Sequence, residues 1–500
     1  MHNLIFGILT VILTGIGYFY SWKFQKQDNY KTALLLLLCC GLVLRFYTAC
    51  DFYLHEWDER YHALVAKNLM EHPLKPMLYA QPLLPYDYKN WTANHIWLHK
   101  QPLTLWTLAA SMKLFGINEI ALRLPSIILT TLGIGLTYFI GSYLFSRKTG
   151  YLAAFFYSIN GFIIELAAGR TATDHTDIFF LFFVELAIFF VIVFIRKNNT
   201  VFNVFAGLAT GAAVLCKWLP ALIVVPIWIL LVMDKGEVNW KSILLQLLLL
   251  CLCCVLVFLP WQLYIFNTFP QEAHWESVYN LKHMTEGLEG HAEPFYYFLD
   301  KIRIQYGELI YLPLLYFGWR VCSNPKDKKR LSVLVWFLIP LFFFSFARTK
   351  MPAYMLFTTP ALFLITADFW YQLAAFTERQ QRYRWLSILV LFLLIALPVR
   401  YSIERIKPFE KRDRNPLWSR QLKELGHQKI RNGILFNYEK NIEAMFYTKL
   451  IAAYPYLPDE VTIKNLQAKG YEVILNDAGI LPTNLKTIKA VKIVQLSIKP

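Results

Sequence analysis

Long apolar runs separated by short charged connections set the pattern of this chain. Twelve such runs occur, at 4–20, 32–48, 124–145, 151–168, 178–195, 201–215, 219–233, 243–259, 309–319, 331–346, 353–370 and 386–399. A helix needs about 17–25 predominantly apolar residues to cross a bilayer, and most of the runs reach or approach that length. They predict an all-α polytopic membrane protein with about 12 spans. The first run has no charged segment before it and no small-residue cleavage site after it, so it reads as a span rather than a signal peptide. The segment 103–115 is also apolar, but counting it as a span would move Arg147 and Lys148 to the side where basic residues are scarce. It reads as an interfacial helix, flanked by Lys100 and Lys113 and carrying Trp106.

After about residue 400 the pattern changes to short apolar stretches among frequent charges. Strands are expected at 433–438 and 471–475. Helices are expected at 442–447 and 459–469, the second closed by Gly470. The division is therefore a membrane domain over 1–400 and a small soluble α/β domain over 401–500.

Charge orients the spans. Lys23, Lys26 and Lys31, Arg147 and Lys148, Arg196 and Lys197, Lys235 and Lys241, the stretch 320–330, and Arg379, Arg382 and Arg384 fall in alternate connections. The positive-inside bias puts these in the cytoplasm. The other connections, the C-terminal domain and both termini then face outside. The net charge of +16 belongs mostly to the cytoplasmic set. It is a signal for insertion and for anionic lipid, not for nucleic acid. With 56% hydrophobic residues and a mean hydropathy of +0.39, a soluble globular class is excluded. The eight cysteines lie within or beside spans and match no zinc or disulfide spacing.

Polar chemistry collects outside the spans, which are nearly free of charge, with Glu165 and Glu185 the clearest exceptions. A transporter would carry its polar residues near the midplane, so the pattern favours chemistry at the membrane surface. The sharpest cluster is Trp57-Asp58-Glu59-Arg60-Tyr61, just beyond the second run. Asp58 or Glu59 there suits a general base acting on a hydroxyl or amine; a solvated acidic loop paired with Arg60 is the plainer alternative. His99-Lys100-Gln101-Pro102 opens the interfacial helix and sets Lys100 where an anion would be attracted. The stretch 170–177 offers Asp174 as a second carboxylate, with helix capping the alternative. Lys217 lies in a tight external turn. The loop after the eighth run holds His291 among other His and Glu residues, and the segment 346–354 holds Arg348, Lys350 and Tyr354 against the positive-inside bias. Arg348 suits a forked grip on phosphate and Lys350 a point charge. Carboxylates and separate cations are the two requirements for moving a sugar from a lipid phosphate: a base for the acceptor and positive charge for the departing phosphate. Such chemistry requires no cofactor; a divalent metal at His99 and His291 stays open.

As an ordered set, these motifs resemble a known family. Asp58-Glu59-Arg60-Tyr61, Lys100-x-Pro102-Leu103, Phe115-Gly116-x-Asn118-Glu119, Arg123-Leu124-Pro125-Ser126, Asp174, Lys217, His291-x-x-Pro294 and Lys350-x-Pro352-x-Tyr354 look like the bacterial aminoarabinose transferases of lipid A and the protein O-mannosyltransferase superfamily, over about residues 50–370. The resemblance implies a GT-C membrane glycosyltransferase. It also implies a polyprenyl-phosphate sugar donor, usually undecaprenyl phosphate, and an inverting attack at the outer, periplasmic face of the bacterial inner membrane. Asp58 takes the base role, with Glu59 adjacent and Asp174 as a second catalytic carboxylate. Donor phosphate falls to Arg60, Tyr61, Lys100, Lys217, Arg348, Lys350 and Tyr354. The acceptor implied is an envelope lipid such as lipid A, with a glycan or a protein as other partners; membrane lipids surround the chain and nucleic acid has no part. A lipid or glycan transporter and a non-catalytic envelope assembly protein are the alternatives. The chain departs from the family where Glu-Lys-Pro-Pro becomes His99-Lys100-Gln101-Pro102, where Lys-Gly becomes Lys217-Trp218, and in its added first span.

Overall fold

Nine helices among the described residues are long and apolar enough to cross a membrane, beginning with Asn3–Lys26 and Tyr30–Ala49. The computed structural model describes residues 3–234, 239–428, 430–479 and 481–498, so Lys235 lies outside the described residues. A tenth span results if Arg147–Ile159 and Gly161–Ala167, bent by 51°, count as one. The bend has a local cause. Asn160 leaves the helical region with ψ 110°, and its side chain accepts from Ile163 N, starting the second helix afresh.

Nine or ten such helices among the described residues stand beside the expected count of about 12. Nine predicted runs fall in the nine long helices and one in the bent pair. The run 219–233 divides into a 3-10 turn, Leu219–Ile223, and a ten-residue helix, Val224–Met233. The run 309–319 lies in a 3-10 turn and the 13-residue helix Tyr311–Ser323. At 1.5 Å per residue neither helix spans a hydrocarbon core of about 30 Å. Pro102–Phe115, at 14 residues, is likewise too short.

The chain forms two units, Met1–Ala49 with Ser126–Ala168 and Thr173–Glu410, and Cys50–Pro125 with Gly169–Ala172 and Lys411–Pro500. The first holds nearly all the membrane helices. Only 17% of the apolar window of Trp240–Thr268 is buried within the protein, and Leu244, Leu245, Leu248, Leu252 and Leu256 stand exposed along it. Such a surface is untenable in water and suited to lipid. The helix packs on Thr200–Lys217 through Gly207 and Gly211, where an added Cβ would lie 2.6 Å from the carbonyl oxygens of Leu250 and Cys254 respectively. Small residues one turn apart allow this close helix contact.

The spans hold more charge than expected. Arg45, inside Tyr30–Ala49, is fully buried. Its guanidinium donates to Thr130 Oγ1 at 2.8 Å and to the carbonyls of Gly41, Ser158 and Tyr157. Every one of these partners is on a packed helix, so Arg45 ties helices together rather than lining a route.

The second unit has one hydrophobic core drawn from distant parts of the chain. Leu64, Trp97 and Leu105 from the first loop pack with Trp418, Leu435, Phe446 and Ile474 from the C-terminal segment. Its sheet is wholly parallel, ordered β2-β1-β3-β4, with β1 at Gly433–Phe436, β2 at Ala452–Ala453, β3 at Glu472–Asn476 and β4 at Lys492–Val494. The register pairs Leu435 with Ala453 and with Ile474. Helices Asn441–Tyr447 and Glu460–Ala468 provide the crossovers that parallel strands require. Lys67, at the end of helix Asp58–Leu69, donates to the carbonyls of Met445, Phe446 and Thr448 at 2.7–2.8 Å. The first-loop helix is thereby fastened to the end of a C-terminal helix, and burial pushes the Lys67 ammonium down to about 8.

Candidate active site

Asp58 and Glu59 open helix Asp58–Leu69, where the helix dipole favours negative charge. Trp57 turns the chain into this helix at φ 72°. Both carboxylates are buried, Glu59 completely. Arg123 Nε reaches Glu59 Oε1 at 2.6 Å and Nη2 reaches Oε2 at 2.9 Å. His55 N donates to the same Oε2 at 2.6 Å. Arg123 also donates to the carbonyls of Asp51 and Tyr53, at 2.5 and 2.7 Å. Glu59 and Arg123 therefore shape the loop 51–58.

Gly169 is required beside the fork. It has φ +73°, and a Cβ there would stand 2.0 Å from Glu59 Oε1.

Arg60 lies over the Tyr61 ring at 5.0 Å, and its Nη1 is 3.6 Å from Glu443, a buried carboxylate of the C-terminal segment. Burial raises the Glu443 carboxyl above its usual range, against the pull of Arg60. Tyr61 meets Trp91 edge-on at 5.0 Å. Lys100 is half-buried immediately before Gln101, the residue that caps helix Pro102–Phe115. Its neighbour His99 stacks flat on Trp91, centroids 4.4 Å apart, and meets Trp97 edge-on.

In the first unit, Lys217 and Tyr354 come together. The Lys217 ammonium sits 4.4 Å from the Tyr354 ring centroid and pairs with Asp177. Asp174 is completely buried at the start of helix Asp174–Lys197 and accepts from His175 N. His175 Nδ1 lies 2.8 Å from Ser126 Oγ. Lys350 is buried, and its ammonium donates to the carbonyls of Glu293, at 2.9 Å, and Ala347. Burial, with help from Arg348, lowers its pKa. Two of its three hydrogens thus hold the 292–350 loop pairing, which also joins Lys350 N to His291 O at 3.0 Å. Arg348 is exposed.

Among the described residues no group of three or more His, Cys, Asp or Glu is placed to hold a metal ion. His99, named with His291 for a metal, has its ring stacked on Trp91.

The family model described as dolichyl-phosphate-mannose-protein mannosyltransferase matches residues 99–261. An uncharacterized protein of Aquifex aeolicus is 28% identical over 67% of this chain and 63% of its own length. An undecaprenyl phosphate-alpha-4-amino-4-deoxy-L-arabinose arabinosyl transferase of Pseudomonas savastanoi is 26% identical over 56% of this chain and 53% of its own. The chain thus spans less than two thirds of each of these relatives. The crystal structure of ArnT from Cupriavidus metallidurans bound to undecaprenyl phosphate superposes with TM-score 0.62 at 16% identity, over 87% of each chain. The Archaeoglobus fulgidus oligosaccharyltransferase AglB, in complex with an inhibitory peptide and a dolichol-phosphate, superposes with TM-score 0.52 at 13% identity, over 86% of this chain and 65% of that one. The chain shares its fold with these two solved structures, and residues 99–261 carry the match to the mannosyltransferase family model.

Several residues gain partners that the motifs did not assign, Arg123 among them although it stands in one of the motifs. Arg123 sits in an apolar stretch, Ala121-Leu122-Arg123-Leu124, where a lone arginine signals a buried partner. Asp51 is fully buried and holds three arginines, Arg170 and Arg412 at 3.0 Å and Arg414 at 3.8 Å. His55 lies 3.3 Å from the same carboxylate. Burial alone would raise the Asp51 pKa. The His55 hydrogen bond and the Arg170 and Arg412 charges reverse that and hold it below the usual carboxylate range. Asp177, beside Lys217, was visible only as a second acid in the stretch 170–177.

Proposed function

We propose that this chain transfers a sugar from a polyprenyl-phosphate donor, of the undecaprenyl-phosphate class, to an envelope acceptor of the lipid A type at the periplasmic face of the bacterial inner membrane. The observation that carries the reading is the split between the two adjacent carboxylates. Glu59 is consumed by the Arg123 fork, and Asp58 occupies the first position of the same helix. A structural acid and a working acid in adjacent positions suit a base that must be held in place by its neighbour.

In this reading Asp58 takes the proton from the acceptor hydroxyl or amine as that atom attacks the anomeric carbon. The bond from that carbon to the phosphate oxygen breaks on the opposite side, its electron pair leaves with the phosphate, and the configuration inverts. Arg60 with Tyr61, and Lys100 ahead of its helix, are assigned to the donor phosphate, as are Lys217 with Tyr354. Arg348 and Lys350 are assigned there too, Lys350 with one ammonium hydrogen outside its carbonyl contacts. Fixed cations of this kind stabilise the charge that develops on a departing phosphate. Asp174 is the second carboxylate. The C-terminal segment, 401–500, takes a periplasmic place and holds Arg60 through Glu443.

Binding of undecaprenyl phosphate to the full chain in detergent, followed by native mass spectrometry, tests the donor assignment. Arg60→Gln and Lys217→Gln are each expected to weaken binding at least tenfold. Wild-type binding in both variants would remove these cations from the donor site.

A further inference from the structure

A cavity of about 560 Å³ lies in the second unit, lined in part by Tyr53, His55, Trp57, Arg170, Arg412 and Lys440. No role in the proposed transfer uses it. Its basic residues are set deep, with side-chain exposures of 7% for Arg170, 16% for Arg412 and 13% for Lys440. The acids that also line it are Glu56 and Asp413. Glu56 is 69% exposed and pairs with Lys440 at 3.4 Å, and Asp413 is exposed as well. Asp51, behind the wall, is the carboxylate that Arg170, Arg412 and Arg414 share.

Arg412 spends only Nη1 on Asp51. Its Nε and Nη2 are buried without a hydrogen-bond acceptor. A buried charged donor left unmet is costly, so its persistence calls for an acceptor that arrives with a ligand. Burial and the neighbouring Arg412 and Arg414 charges also push the Arg170 guanidinium down to about 10 despite Asp51. An incoming anion would relieve that repulsion. The fork of an arginine matches a tetrahedral oxyanion. Trp418, with Lys440 4.6 Å from its ring centroid, and Trp57 supply aromatic surface for whatever carries that anion.

We propose that this cavity is a phosphate-monoester site, with Arg412 as its forked donor and Arg170 and Lys440 as its supporting charges. The phosphate group can be borne by a lipid headgroup or by a soluble ester, since both present the same oxygens. The site stands on the second unit alone and does not depend on the assignment of Asp58.

The test is calorimetric titration of the full chain, in phosphatidylcholine nanodiscs, with glycerol 3-phosphate. Saturable binding is expected, weakened at least tenfold by Arg412→Gln and by Lys440→Gln, the second keeping the question decidable where the first fails to fold. Repeating the wild-type titration in nanodiscs containing phosphatidic acid separates the sources. A tenfold loss of apparent affinity identifies a lipid phosphate as competitor, and an unchanged curve identifies a soluble ester. Absence of saturable binding in the wild type, or equal affinity in the wild type and Lys440→Gln, overturns the proposal.

Discussion

Arg123 grips Glu59 through two side-by-side hydrogen bonds, Nε to Oε1 at 2.6 Å and Nη2 to Oε2 at 2.9 Å, with both side chains fully buried. Removing one partner of a buried pair strands the other's charge and costs about 3–5 kcal/mol. Arg123→Ala is therefore expected to lower the Tm of the full chain in detergent sharply. Glu59→Gln is expected to lower it as well, because it strands the Arg123 guanidinium and sets an amide NH2 against one of the donors that the carboxylate accepts from. Arg123→Lys should fall with the alanine variant in thermal unfolding, because an ammonium cannot reproduce the fork or the contacts to the Asp51 and Tyr53 carbonyls. A Tm for Arg123→Ala within error of wild type would show that the pair does not hold the loop.

Gly169 meets the same fork from the other side. A methyl group there would stand 2.0 Å from an oxygen already bound by Arg123, on a backbone at φ +73°. Strain of this kind costs about 1–3 kcal/mol. Gly169→Ala is expected to lower the Tm and, by displacing Glu59, to reduce sugar transfer as well. If the double variant Gly169→Ala/Glu59→Ala lost the full sum of the two single losses in Tm, the clash would not be the cause.

Asp51 gives a pH dependence with a defined sign. Its carboxyl pKa is lower in the folded chain than in the unfolded one. The native state therefore keeps the charge where the unfolded state takes up a proton. The stability this supplies is complete above the unfolded value, about pH 4, and is lost as pH falls towards the folded value. Asp51→Asn should be less stable than wild type at pH 7, and the gap in Tm should shrink on acidification from pH 5 to pH 3. A gap that stays constant over that window would mean that Asp51 titrates alike in both states.

Much of the architecture was legible because long apolar runs admit few alternatives. The difference between about 12 expected spans and the nine or ten long apolar helices lies in the runs at 219–233 and 309–319, where apolar composition persists but helix length does not. Break-points such as Asn160 depend on a single ψ angle, which apolar periodicity does not encode. In the C-terminal segment β1, β3, the two crossover helices and the Gly470 stop were readable from alternation and punctuation. β2 has two residues and β4 three, too short to carry a period. The motifs brought Asp58, Arg60, Lys217 and Tyr354 to notice, but not their partners. Glu443 meets Arg60 across nearly 400 positions, and Asp51 meets Arg412 across 361. Burial, not local pattern, makes such pairs, so a loop acid reads as solvated until the fold covers it. Arg45 went unremarked for the same reason: its partners are carbonyls and a threonine hydroxyl, which leave no trace in charge patterning.

The central claim is that Asp58 serves as the base for sugar transfer, and mass spectrometry of envelope lipids and glycans tests it most directly. Cells carrying the wild-type chain should show one sugar mass that cells lacking the chain do not. Asp58→Asn, inserted at the same level, should abolish that mass or reduce it at least a hundredfold, in line with loss of a general base. A wild-type sugar profile from inserted Asp58→Asn would contradict the account.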